Sequence, residues 1–165
     1  MATLIVQAHP LEASFSAALC DAAAAQAEST DPATTTVRLG QGDHLDVDMF
    51  TGVTNLVMVY PTWWGSLPAM LLGSLETSLG PWIDGGAPLA KSPLRSVKQL
   101  TVITTHGSSR LVNRLQGEPG MQFWKRTVLG LCSKNAHFSW QALYKLDRLT
   151  HADRSGFLST VTVSR

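Results

Sequence analysis

Short apolar runs of strand length alternate with longer stretches of helical period along this chain, and that alternation limits its fold most tightly. A strand followed by a helix returns to the same end of a sheet, so consecutive strands pair in parallel and helices cover the faces. The runs are Thr3 to Ala8, Thr36 to Leu39, Asn55 to Tyr60, Gln99 to Thr105 and His137 to Leu143. After the first run, Phe15, Ala18, Leu19, Ala22 and Ala23 recur on one helical face. After the third, Pro68 suits a first helical position, where its missing N–H costs nothing. Leu71, Leu72, Leu75 and Leu79 then form an apolar stripe, and Gly80 with Pro81 reads as the stop. Another helix is expected from Pro119 to Cys132, with Met121, Trp124, Val128 and Leu131 on one side. Thr150 and Asp153 have capping-box spacing and open a last helix. Residues 28–35, 40–54, 82–96 and 106–120 read as loops, the second with one helical turn.

Five strands in 165 residues specify a single α/β domain, residues 1–165. The expected architecture is a doubly wound five-stranded parallel sheet of order 2-1-3-4-5, with helices on both faces. Ligands of such sheets bind beyond the carboxyl ends of the strands, at the switch point between strands 1 and 3. Three loops are expected to converge there: "HPLEASFS" (His9 to Ser16), "PTWWGSLP" (Pro61 to Pro68) and "THGSSR" (Thr105 to Arg110).

Composition removes several functions. A net charge of +1 with 15% charged residues gives no nucleic-acid surface and no solvated tail. Cys20 and Cys132 fall inside apolar helical patterns without metal-ligand spacing, and read as buried thiols in a reducing compartment. No metal site is expected. The opening "MATLIVQAHP" lacks a basic lead and reads as a strand rather than an export signal. No apolar stretch approaches the about 20 residues that span a membrane, so the expected location is the cytoplasm.

Each loop admits two roles. His9, Ser14 and Ser16 stand where a helix begins, and free N–H groups with the dipole make that a phosphate site; the same residues also make an ordinary serine cap beside a surface histidine. Trp63 and Trp64 offer flat faces for a planar ring, or pack in a core or subunit interface. Thr104 to Gly107 offers hydroxyls and N–H groups, or a plain turn. There is no G-x-G-x-x-G, no P-loop and no G-x-S-x-G. Convergence of the three at one edge favours a phosphorylated planar ligand.

Three stretches, "AHPLEASFS" (Ala8 to Ser16), "YPTWWGSLPAMLLG" (Tyr60 to Gly73) and "TTHG" (Thr104 to Gly107), occur in an order that resembles the flavodoxin-like NAD(P)H:quinone oxidoreductases. That family includes DT-diaphorase, the modulator of drug activity B and the ancillary flavoproteins of potassium-efflux systems. The resemblance implies one FMN or FAD per subunit, NADPH or NADH as electron donor, a quinone-like acceptor and a homodimer. It implies that His9, Ser14, Phe15 and Ser16 hold flavin phosphate. Thr62, Trp63, Trp64 and Gly65 would line the isoalloxazine, and Thr104, Thr105, His106 and Gly107 its pyrimidine edge. His106 and Arg110 are the catalytic candidates, placed to stabilise the negative charge of reduced flavin. The chain departs from the family where its lysine is Leu72 and its first loop glycine is His106. A tyrosine–histidine pair of DT-diaphorase has no counterpart; Val112, Asn113 and Pro119 fall nearby. An accessory subunit that works through partner binding is the alternative expectation.

Overall fold

The computed structural model describes residues 2–163; Met1, Ser164 and Arg165, which complete the expected 1–165 domain, lie outside the described residues. The strands β1 (Thr3–Ala8), β2 (Thr34–Leu39), β3 (Asn55–Pro61), β4 (Gln99–Thr105) and β5 (His137–Leu143) form one parallel sheet, ordered 2-1-3-4-5. This is the expected doubly wound arrangement. The helices are α1 (Phe15–Glu28), α2 (Ala69–Asp84), α3 (Arg110–Leu115), α4 (Pro119–Gln122), α5 (Leu129–Leu131) and α6 (His151–Thr160).

Strand alternation divides the core in two. Leu4, Val6, Leu56, Met58, Leu100 and Val102 face α2, packing with Leu71, Leu75 and Leu79, and with Trp124 and Val128. Ile5, Val57, Val59 and Ile103 face the other way, onto Leu19, Cys20, Ala23 and Ala27 of α1 and Phe157 and Leu158 of α6. Both faces of β1 and β3 are buried, so they read as unbroken apolar runs. Edge strand β2 is more exposed, and it begins earlier than its apolar run because Thr34 and Thr35 pair with Thr3 and Leu4. Cys20 and Cys132 are unpaired and buried, and burial pushes both thiols up to about 11. Among the described residues no helix is long and apolar enough to cross a membrane, and no group of three or more potential ligands is placed to hold a metal.

The structure corrects three local expectations. Helix α2 does not stop at Gly80–Pro81 but runs to Asp84 with Pro81 inside it. Proline so near a helix end forfeits little backbone bonding, and burial of Leu75 and Leu79 holds the final turns in place. Leu72 is not part of the stripe: it is exposed, because Leu71, Leu75 and Leu79 repeat at four-residue spacing and Leu72 falls off that line. Residues 106–120 are not all loop. They contain α3, capped by the Ser109 hydroxyl accepting from Val112 N–H, with Leu111 and Leu115 exposed. An apolar helix face pointing to solvent gives no burial period to read.

The helix expected over 119–132 is broken by a π-helical turn at Phe123–Val128. That turn carries Trp124 fully under the sheet, where its Nε1–H donates to the buried Tyr60 hydroxyl at 2.6 Å. Tyr60→Phe strands this indole N–H without an acceptor. It should lower the unfolding free energy by about 1–3 kcal/mol, seen as a lower urea midpoint at unchanged slope.

Candidate cofactor site

The carboxyl ends of β1, β3 and β4 lie level, with Gln7 opposite Val59 and Pro61 opposite Thr105. The loops that leave them touch. Thr62 N–H donates to the Thr105 carbonyl at 2.7 Å, and the Thr62 and Thr104 hydroxyls bond at 2.9 Å. The His9 ring meets the Trp63 ring edge-on at 5.7 Å. The expected convergence of the three loops is therefore present in the geometry.

The middle loop is a tight hairpin. Trp63 and Ser66 exchange backbone hydrogen bonds of 3.1 and 2.9 Å, with Trp64 and Gly65 between them at φ of 54° and 79°. Two left-handed residues make the turn that strands prefer, and Gly65 adopts its angle freely. Trp64 does not: a bulky side chain at positive φ costs on the order of 1–3 kcal/mol. Its ring is wholly exposed. The turn thus spends stability to present an indole to solvent at the rim of the site.

Between this hairpin and the loop after β4 lies a cavity of about 310 Å³, lined by Thr62, Trp64, Gly65, His106, Gly107, Ser108, Asn113 and Gln116. His106 is 6% exposed and neither ring nitrogen has a hydrogen-bond partner. Its plane is fixed by a stack on Tyr144, with centroids 4.7 Å apart and planes 11° from parallel. Burial holds the imidazole below the usual histidine value; the Asn113 side chain opposes this without hydrogen-bonding either nitrogen. Asn113 Nδ2 is spent on the Ser108 hydroxyl and the Ser109 carbonyl, at 2.7 and 2.9 Å. His106 is therefore neutral near pH 7, with two unspent polar atoms at a polar cavity.

The loop's main chain is committed elsewhere. His106 N–H donates to the Leu143 carbonyl, while the His106 and Ser108 carbonyls accept from Leu146 and Lys145 N–H. A Cβ on Gly107 would stand 2.9 Å from Asp147 Oδ2, so packing from below requires this glycine.

The expected site residues divide into groups. Thr62, Trp64, Gly65, His106 and Gly107 line the cavity together. Thr104 and Thr105 are buried beneath it. Trp63 lines a neighbouring cavity of about 410 Å³ with Trp64, Leu67, Pro68, Ala69 and Met70, and His9 lines a third. At the start of α1, the Ser14 hydroxyl accepts from Ala17 N–H at 3.1 Å and its carbonyl from Ala18 N–H at 3.2 Å. The Phe15 and Ser16 N–H groups remain for an anion; Phe15 is half-buried and Ser16 buried. Arg110 is exposed at the start of α3 and stands outside the cavity lining. Reading the sequence missed Ser108 and Gln116 as lining residues and Tyr144 as the support for His106. The spacing of Asn113 from Ser109 on a capped helix was the available signal for α3.

The unspent His106 nitrogens, the polar lining and the helix end suit a planar ring with a polar edge and a phosphate tail, so the residues present fit a flavin. Below about pH 6.5, the ordinary histidine value, the unfolded chain takes a proton that folded His106 resists. The unfolded state then binds more protons, so stability falls as pH drops from there through the lowered folded value. Thermal midpoints of apo-protein between about pH 7.5 and 5.5 should fall with pH, and His106→Gln should flatten that fall.

No curated protein matches the chain. Among solved structures, an NAD(P)H:quinone oxidoreductase from Methanothermobacter marburgensis superposes with TM-score 0.67 at 20% identity, over 97% of this chain and 92% of that one. An FMN-dependent NADH-azoreductase from Bacillus anthracis, in complex with FMN, gives TM-score 0.72 at 12% identity, over 97% and 95%. The general stress protein 14 from Treponema denticola, also with FMN, gives 0.64 at 19% identity, over 97% and 93%. At these identities the likeness is one of fold. The family described by a flavodoxin-like fold matches residues 1–136, and with the sheet order and the loop edge in place the chain belongs to that flavodoxin-like family.

Proposed function

We propose that the protein is a flavin-dependent NAD(P)H oxidoreductase that passes hydride from NADPH or NADH, through one bound FMN or FAD per subunit, to a quinone-like acceptor. The observation that carries this reading is His106. A buried imidazole with both nitrogens unspent, at a polar cavity on the ligand edge of a doubly wound sheet, is costly unless a ligand completes it. Structural neighbours named as quinone reductases and FMN-dependent azoreductases support it.

The flavin, when bound, supplies the two-electron chemistry; the chain supplies binding, orientation and electrostatics. The Phe15 and Ser16 N–H groups, with Ser14 and His9, hold the phosphate. Thr62, Trp64 and Gly65 flank the ring, over a floor of Thr104 and Thr105. Neutral His106 donates one N–H toward the polar edge, where negative charge develops on reduction, and Gly107 allows close approach. Arg110 opens α3 three residues before Asn113 and adds positive charge at the mouth. The apolar cavity beside Trp63, Trp64 and Met70 suits a flat acceptor. Exposed Trp63, Trp64, Leu111, Val112 and Leu115 are the surface we assign to a homodimer. The supply of NAD(P)H makes the cytoplasm its working compartment.

Two substitutions separate binding from folding. Aspartate caps helices as well as serine, so Ser14→Asp should keep the fold and set a carboxylate against the phosphate. It should lose FMN binding while riboflavin affinity holds, measured by flavin fluorescence on apo-protein. Retention of FMN by this variant contradicts the phosphate assignment.

Trp64→Ala removes a ring that is wholly exposed, so thermal stability should stay level or rise. Flavin affinity or NAD(P)H oxidation should fall by roughly two- to tenfold, the worth of one aromatic contact. A large loss of melting temperature with flavin affinity intact points to packing instead.

A further inference from the structure

We infer that the carboxyl ends of β1 and β2 carry a second polar subsite, which takes the adenosine 5′-phosphate moiety of a dinucleotide. The flavin reading above bears only on which dinucleotide brings that moiety. The space is a cavity of about 470 Å³, larger than the one at His106 and within the range of small-molecule sites. Its polar lining comes from Gln7, His9, Glu12, Arg38 and Asp43.

Gln7 is the pointer. Val6 and Ala8 face α2, so Gln7 faces the α1 side with Ile5, where Ile5 is packed in the core. Gln7 is 3% exposed, it lines the cavity, and its Nε2 has no hydrogen-bond partner. Nothing in the packing explains a buried carboxamide with an idle donor at the last turn of a strand.

The other groups have defined orientations. Asp43 Oδ2 accepts Gly40 N–H at 2.7 Å, which holds the carboxylate across the end of β2 with Oδ1 still available. His9 Nδ1 accepts Leu11 N–H at 3.0 Å, leaving Nε2 for a ligand. Arg38 is held to Asp21 of α1 by one guanidinium nitrogen at 2.5 Å.

This donor and acceptor set is selective. Two carboxylates repel a phosphate, so the cavity itself is no anion site. The idle Gln7 donor, His9 and Arg38 disfavour a bare cation. A ribose with an attached base satisfies both kinds of group: its cis-diol donates to Asp43 and Glu12, while base acceptors meet Gln7 and His9. A carboxylate at the end of the second strand is where doubly wound sheets take a ribose diol. The loop from His9 to Ser14 joins this cavity to the α1 N-terminus, so the nucleotide's phosphate would lie on the Phe15 and Ser16 N–H groups. The adenylate half of FAD and that of NAD(P)H share this chemistry.

The test uses AMP itself as the probe on apo-protein, by calorimetry, with wild type, Asp43→Asn and Gln7→Leu. Wild type should bind AMP, and each substitution should weaken it about ten- to a hundredfold, the worth of hydrogen bonds to such groups. Gln7→Leu removes an idle buried polar group, so its melting temperature should hold or rise. No AMP binding by folded wild type, or equal binding by all three proteins, overturns the subsite. FMN and FAD titrations then name the source. Tighter binding of FAD than FMN, lost in Asp43→Asn, assigns the adenylate to the flavin. Equal flavin affinities with a raised KM for NAD(P)H in Asp43→Asn assign it to the donor. A chain that binds AMP but no flavin refutes the oxidoreductase reading and leaves the subsite standing; one that binds flavin but not AMP does the reverse.

Discussion

Main-chain pairing across β1, β3 and β4 is the constraint on which everything else rests. Parallel register brings three strand ends level, and burial of both faces leaves the carboxyl edge as the place where loops meet. The pairing extends past the strands, since the bond from Thr62 to the Thr105 carbonyl continues the ladder into the loops. The site is therefore built on the stiffest part of the molecule, although its walls are irregular chain.

The polar side of the cavity is held by a different means. The loop after β4 is tied by main-chain bonds to Leu143, Lys145 and Leu146, and Tyr144 stacks under His106. The segment after β5 thus acts as a backing plate for the segment after β4. An imidazole held in plane, dry and neutral is a donor whose direction is already set, and preset dipoles stabilise developing charge without reorganising.

Much of this was legible in the residues. The strands, their order and the α1 stripe follow from apolar runs and period, and Thr150 with Asp153 forms the capping box that its spacing announced. The three loops were identifiable by type because the fold rule fixes where they meet. What escaped has physical causes. Helix α3 buries little besides Asn113, so no stripe marks it. Pro81 sits close enough to a helix end that packing overrides its propensity. The π-helical turn at Phe123 to Val128 leaves no mark in the spacing of Trp124 and Val128. The stack of Tyr144 on His106 joins residues far apart in sequence, and the commitment of His106 N–H to Leu143 is invisible without coordinates.

Trp64 sets the fold and the site against each other at a single residue. A left-handed turn position favours Gly, Asn or Asp, and a solvated indole contributes no burial in return. Selection for stability alone would erase it, whether acting in nature or through a consensus-driven design that scores each position by its turn chemistry. The persistence of tryptophan there is thus a record of competing pressures. A thermostabilised descendant of this chain would have to be held to a rule its backbone geometry does not supply: leave the apex of this hairpin strained.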